Sequence, residues 1–423
     1  RIARGRSRRP AVVLDLDASS ARLWSPSDPH LYGLRYRLLD GSRVVDEVTS
    51  YIGLRTVSCV GEHIFLNGEP TYLRLVLDQG YYSDGLWTAP SKRALLRDIE
   101  LAKCLGFNGA RLHQKVFEPW YFHYADLLGF LVVSEYPDWP GDKTRRWLLP
   151  EAYKRMVKAE WRAVVEHLHN HTSIIMWTAL NEVGPSGGWA HNRGAGGGFR
   201  NYKDAAARRR IIRDHEGFVT SLVTTLRRAD LQCRPVIECS GFAHVPGARP
   251  DVWSVHEYCS DAAALARILR ELPERHIDGH VGQPLLCAEF GGVGLEAGGP
   301  LGRNPPRFAV GYGAKAAAAS LPAIDRIASL AVAVYGAPGV AGSCYTQLYD
   351  VEFEKNGLLR YDRLPKPALP LAGLRRIFGG ASRAARRAPG VGGGSERAFV
   401  KRKASAGSQP TPAKRRRAPL CAA

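Results

Sequence analysis

Two stretches decide the fold: SIIMWTALNEVG (Ser173–Gly184) and QPLLCAEFGG (Gln283–Gly292). Each is an apolar run too short for a helix, and each ends on a glutamate. Such a run reads as a strand buried on both faces, as in a parallel sheet enclosed by helices. The two strands deliver Glu182 and Glu289 to their C-terminal ends, where a strand-and-helix barrel keeps its chemistry. Two carboxyl groups facing each other across a barrel mouth are what hydrolysis of a glycosidic bond requires.

Outward from this pair the chain keeps one rhythm. From Tyr72, strand and helix alternate: TYLRLVL, FNGARLH, FLVVSEY, SIIMWTALN, RPVIECS, DVWSVHEY, QPLLCAEF and GSCYTQL are the strands. Between them lie amphipathic helices, such as APSKRALLRDIELAKCLG with Gly106 as its stop. The link between RPVIECS and DVWSVHEY is too short for a full helix and its loops. The fold class is therefore α/β: a (β/α)8 TIM barrel, irregular at its fifth unit. Residues 11–62 alternate in the β manner, with DGSR as a hairpin turn, and read as part of an immunoglobulin-like β-sandwich. The expected organisation is a basic disordered segment at 1–10, the partial sandwich at 11–62, the barrel at 63–379 and a disordered basic tail at 380–423.

The formal charge of +19 invites a nucleic-acid reading, but its distribution opposes one. Residues 1–9 carry five arginines, and residues 383–423 carry a net +10, leaving +4 for the body between. A nucleic-acid partner needs basic residues among aromatic platforms on the folded body, so none is expected. The pair KRK at 401–403 and KRRR at 414–417 resembles a bipartite nuclear localisation signal, although a solvated tail is the plainer account. No apolar run reaches membrane-spanning length. The eight cysteines form no C-x-x-C pair and read as small buried hydrophobes in a reducing compartment, with a cytoplasmic location expected. GAGGG at 194–198 sits in a glycine-rich excursion (185–202) and follows no strand, so it is no nucleotide fingerprint. No cofactor and no metal site is expected.

Polar residues gather at the predicted strand ends: Asp78, Gln79, Arg111, His113, Glu135, Asn181, Glu182, His256, Tyr258, Glu289 and Gln347. Each alone has a structural explanation, such as an ion pair or a core histidine bonded to backbone. A convergent set is harder to explain so, because burying polar groups together is costly unless they are paired or used. Trp177, Trp120, Tyr121 and Tyr124 read as packing residues.

HNHTSIIMWTALNE, AEFGG, GFNGARLHQKV, LVLDQGYYSDGLW and GSCYTQLYDVEFEKNGLL together resemble glycoside hydrolase family 2 over residues 22–378. That family contains β-galactosidases, β-glucuronidases and β-mannosidases, and it is retaining. The resemblance implies Glu182 as general acid/base and Glu289 as nucleophile. It implies that Asn181 bonds the sugar 2-hydroxyl, that Arg111 and Tyr258 hold the nucleophile, and that His113, His256 and Asp78 bind hydroxyls of the first sugar. It also implies a jelly-roll domain before the sandwich, which is expected to be missing here. The leading expectation is a retaining β-glycosidase acting on a terminal, β-galactoside-like sugar. The alternative is a truncated, catalytically weak carbohydrate-binding relic. A carbohydrate is the expected partner, a membrane is not, and a homo-oligomer is left open.

Overall fold

The computed structural model describes residues 14, 16–17, 21–137, 149–182, 204–241, 244–275, 280–295 and 321–385. The basic segment 1–10, the excursion at 185–202, most of the AVVLDLD strand and the tail from 386 lie outside the described residues. The described N-terminal part is all β. Strands β1 (Tyr32–Asp40) and β2 (Arg43–Ile52) form an antiparallel hairpin that turns at Gly41, whose φ is +58°. Strands β3 (Val57–Val60), β4 (His63–Leu66) and β5 (Glu69–Pro70) form a second antiparallel sheet. Asn67 and Gly68 join β4 to β5 with φ of +55° and +80°, the paired positive values that a tight hairpin turn demands.

The barrel continues the chain as β6 (Leu73–Asp78), α1 (Lys92–Leu105), β7 (Gly109–Leu112), α2 (Pro119–Leu128), β8 (Leu131–Glu135), α3 (Glu151–Leu168), β9 (Ile174–Thr178), α4 (Ala205–Ala229), β10 (Val236–Ile237), β11 (Trp253–Glu257), α5 (Ala262–Arg275), β12 (Leu285–Gly291), α6 (Ala323–Tyr335), β13 (Val340–Thr346) and α7 (Leu371–Ala385). The ends of α1 come from local chemistry. Ser91 Oγ accepts the Ala94 amide at 3.2 Å, and Gly106 stops the helix at φ +103°. Helix α5 is an addition to the elements expected from the sequence, and α7 runs past residue 379, the expected end of the barrel.

All eight barrel strands are parallel, in the order β10-β9-β8-β7-β6-β13-β12-β11. The barrel is thus nearly closed, with a seam between β10 and β11. A short 3-10 turn, Pro246–Ala248, replaces the fifth helix, as the length of that link requires. Across the seam, the Asp251 amide donates to the Val236 carbonyl at 3.0 Å and Ser254 Oγ donates to the Cys239 carbonyl at 3.3 Å.

Strand alternation sorts the core into two layers. Val76, Ala110, Leu112 and Val132 pack outward with Leu95, Ile99 and Phe122 of the helices. Leu75, Leu77, Val133, Ile175, Leu286 and Ala288 fill the barrel interior, and Ile64, Leu66 and Trp24 join them from the N-terminal part. Three barrel strands, β9, β12 and β13, break strict alternation. Val132 pairs with Ile174 but Val133 pairs with Met176, and Val255 pairs with Cys287 but His256 pairs with Glu289. An extra residue in β9 and another in β12 therefore re-aim the side chains beyond them. These are the strands that carry Glu182 and Glu289.

Trp177 and Tyr121 are buried as expected, and Trp177 Nε1 donates to Asp230 at 2.9 Å. Trp120 departs from the expectation of a core residue: it is 41% exposed, with the Lys92 ammonium 3.5 Å from its ring centroid. Six of the described cysteines are free thiols, three of them buried. Among the described residues, no helix is long and apolar enough to cross a membrane.

Trp161 of α3 is fully buried, donates to the Ala179 carbonyl at 3.1 Å and meets Trp177 edge-on. Trp161→Ala is expected to cost about 3–5 kcal/mol, read as a lowered denaturation midpoint with an unchanged far-ultraviolet dichroism spectrum of the folded baseline.

Candidate active site

Arg111, at the interior-facing position of β7, is fully buried and anchors the barrel mouth. Its Nε donates to Glu135 Oε2 at 2.9 Å, Nη1 to Glu289 Oε1 at 2.8 Å and to the Ala288 carbonyl at 3.1 Å, and Nη2 to Asn181 Oδ1 at 2.6 Å. Burial works against its charge, but Glu135 and Glu289 outweigh that and raise its pKa. Glu135, also fully buried, takes the Gln114 amide at 2.9 Å and lies 3.2 Å from His113 Nδ1.

Glu289 is held on both oxygens. Arg111 donates to Oε1 and the Tyr258 hydroxyl donates to Oε2, while His256 Nδ1 stands 3.4 Å from Oε2. Burial disfavours its ionised form, but His256, Arg111 and His113, with the Tyr258 hydrogen bond, bring its pKa down to about 2. The carboxyl group is therefore an anion throughout the working range. Tyr258 is fixed in turn by Thr346 Oγ1, 3.3 Å from its hydroxyl.

Glu182 comes after β9 in the left-handed region, at φ +48°, a conformation uncommon for a side chain of this kind and frequent at functional positions. Its amide donates to the Ser240 carbonyl at 2.8 Å, and the Ser240 amide donates to the Leu180 carbonyl at 2.8 Å. Its Oε1 lies 2.6 Å from His256 Nδ1. Gly241 lines this contact at φ +109°; a Cβ there would stand 3.0 Å from His256 Nδ1 and 3.1 Å from Glu182 Cγ. One ligand atom from each of Glu182, His256 and Glu289 lies within 4.8 Å of the others. That spacing suits a cation as well as a catalytic pair. Arg111 and Tyr258 already occupy both Glu289 oxygens, which favours the pair.

Of the predicted residues, Glu182, Glu289, Asn181, Arg111, His113, His256 and Tyr258 thus come together. Asp78 is placed otherwise. It is almost fully buried, and its Oδ1 takes the Gly80 amide at 2.9 Å and the Tyr349 hydroxyl. Burial, with Asp98 nearby, pushes its carboxyl up to about 6. Arg363, packed on the Tyr82 and Tyr349 rings and bonded to Asp98 at 3.0 Å, completes this separate cluster. Gln79 and Gln347 belong to another, where Gln79 Nε2 donates to Gln347 Oε1 and to Glu354 Oε2, each at 2.8 Å. Sequence reasoning misses Ser240, whose Oγ lies 2.8 Å from His256 Nε2, and Tyr349. The glycine after Ser240 is the available signal for a close approach.

Known proteins resemble this chain in sequence and fold. The sequence profile of the glycosyl hydrolases family 2 matches residues 4–55. A candidate β-glucuronidase of Formosa agariphila is 33% identical over 185 residues, covering 42% of this chain and 17% of that protein. A β-galactosidase of Leuconostoc mesenteroides is 28% identical over 193 residues, covering 44% of this chain and 18% of that protein. The chain is thus similar to members of glycosyl hydrolase family 2. Its matched stretches span less than a fifth of these relatives. The fold also superposes on the family 2 β-galacturonidase of Eisenbergiella tayi bound to galacturonate, with a TM-score of 0.67 at 18% identity, over 86% of this chain and 60% of that one. It superposes equally on the β-glucuronidase of Bifidobacterium dentium, with a TM-score of 0.67 at 19% identity, over 88% of this chain and 56% of that one.

The depressed pKa of Glu289 predicts an acid limb in stability. The unfolded carboxyl protonates near 4.5 and the folded one near 2, so its stabilising contribution is full above pH 4.5 and lost as pH falls towards 2. Glu289→Gln is expected to flatten that part of the curve, measured by denaturant midpoints between these pH values.

Proposed function

We propose that this chain is a retaining β-glycosidase acting on a terminal β-linked sugar, with Glu289 as nucleophile and Glu182 as general acid/base. The observation that carries this reading is the short distance between the two carboxyl groups, whose facing oxygens lie within 4.8 Å. Retaining enzymes hold the pair roughly 5–5.5 Å apart, and inverting ones about 6.5–9.5 Å apart to admit a water.

The two environments divide the roles. Glu289 is ionised and its side chain is 8% exposed, as suits an anion kept for attack on the anomeric carbon. The Glu182 side chain is more open at 17%, as suits a group that meets first a leaving oxygen and then a water. In the first step a Glu289 oxygen bonds the anomeric carbon, the glycosidic bond breaks, and the Glu182 proton passes to the departing oxygen. In the second step Glu182 takes a proton from water, which attacks the anomeric carbon and releases Glu289. Arg111 fixes Asn181 through its carbonyl oxygen, which turns the amide nitrogen towards a sugar hydroxyl; such a contact counts most if it tightens as charge develops at the anomeric centre. β-Galactosidases stand among the relatives beside β-glucuronidases, and a β-linked hexose of the galactoside type is the sugar proposed.

Hydrolysis of aryl β-galactoside, glucuronide, mannoside and glucoside by the chain, beside Glu182→Gln and Glu289→Gln, tests this reading. Turnover of one sugar with release of the β-anomer, and a loss of at least about 10²-fold in each variant, is the expected result. A folded chain that binds a glycoside without turnover would replace the reading with that of a binding protein.

A further inference from the structure

The buried hydroxyl of Ser240 has no part in the two-step scheme above, yet it faces the imidazole that touches the proposed acid. We propose that Ser240 is a positioning residue. By donating to His256 Nε2 it fixes the His256 tautomer, and so selects which oxygen of Glu182 carries the catalytic proton. This rests on the glycosidase reading.

The two nitrogens of one ring face different partners. His256 Nδ1 lies 2.6 Å from Glu182 Oε1 and 3.4 Å from Glu289 Oε2, so two carboxyl oxygens face this nitrogen. A neutral imidazole carries one N–H donor and one bare acceptor nitrogen. Two acceptors at Nδ1 call for the N–H there, which leaves Nε2 bare. Ser240 Oγ, 2.8 Å from Nε2, supplies the proton that this bare nitrogen accepts. The ring is thereby held at both ends, and both Ser240 and the His256 side chain are fully buried, where an unmet polar atom is costly.

The consequence falls on Glu182. With Oε1 already accepting from His256 Nδ1–H, a proton on Glu182 belongs on Oε2. It then leaves from Oε2 to the glycosidic oxygen as the bond to the anomeric carbon breaks. In the second half-reaction Oε2 receives a proton from water, while Oε1 keeps its hydrogen bond and His256 keeps its own protons. Were the ring to carry Nε2–H, Glu182 would spend its proton on Nδ1, and the acid would be turned away from the substrate. The backbone supports this pairing: the Ser240 amide and carbonyl are bonded to Leu180 and Glu182, so the hydroxyl is held in register with the acid. Gly241 leaves the space in which ring and carboxyl meet.

Ser240→Ala tests the proposal in two ways. Imidazole nitrogen magnetic resonance on the full chain, with His256→Asn to assign the signal, reads the tautomer without any turnover. The Nδ1–H form is expected in the parent and a mixture of forms in Ser240→Ala; an Nε2–H form in the parent overturns the proposal. Steady-state kinetics then vary the leaving group. Protonation matters for a poor leaving group and little for a good one, so Ser240→Ala should lower kcat/KM about tenfold for an alkyl or phenyl glycoside and under about twofold for a dinitrophenyl glycoside. An equal loss on both would assign Ser240 to packing alone and overturn the proposal. A parent with the Nδ1–H tautomer and no turnover of any glycoside would instead defeat the glycosidase reading and, with it, the catalytic part of this one.

Discussion

A single buried guanidinium organises the mouth of this barrel. Arg111 reaches Glu135 on β8, Asn181 beyond β9 and both Ala288 and Glu289 on β12, so one side chain on β7 ties together three other strand ends. A cation with no exposure has to be compensated, and two carboxylates with two further acceptors do so here. The arrangement is stable only as a set. Without Glu135, Arg111 would neutralise Glu289 alone and could no longer be held square to it. Without Arg111, two buried carboxylates would face each other's field. The ionised state of Glu289 and the orientation of Asn181 are therefore one electrostatic solution, reached before any substrate arrives.

Much of this is legible in the sequence because strand ends are legible. Apolar runs closed by a polar residue mark a buried strand and the end that bears chemistry, and eight of them in alternation with helices identify the barrel. The finer aim of each side chain lies beyond such patterns. In β12, Cys287 and Phe290 pack outward and Ala288 inward, so strict alternation would send Glu289 outward with them. The extra residue in the pairing with β11 brings it opposite His256 instead. No pattern of residue types announces such a slip, because it is set by which neighbour each amide finds. Position at the strand end finds Glu289; periodicity alone would lose it.

Asp78 shows what strand-end position leaves open. It stands at a strand end, like its functional neighbours, and that position alone suggests a role at the sugar. One of its oxygens accepts from Tyr349, whose chain returns to it only after the eighth strand, beside an Arg363 clasped by Tyr82 and Tyr349. A contact that closes over so much chain is decided by tertiary packing, and local sequence carries no trace of it. Ser240 escapes notice for a related reason: a serine near a strand end is commonplace until the ring it faces is known.

The seam between β10 and β11 has a meaning beyond irregular topology. Glu182 and Ser240 belong to one bank of that seam, and His256 and Glu289 to the other. The polar contacts of the proposed site are thus also the stitches that draw the cylinder shut where a backbone ladder is missing. A ligand that pulls Glu182 towards itself loosens a stitch, and a ligand that bridges the two carboxyl groups tightens one. In this barrel, occupancy of the site and integrity of the wall are written in the same few hydrogen bonds.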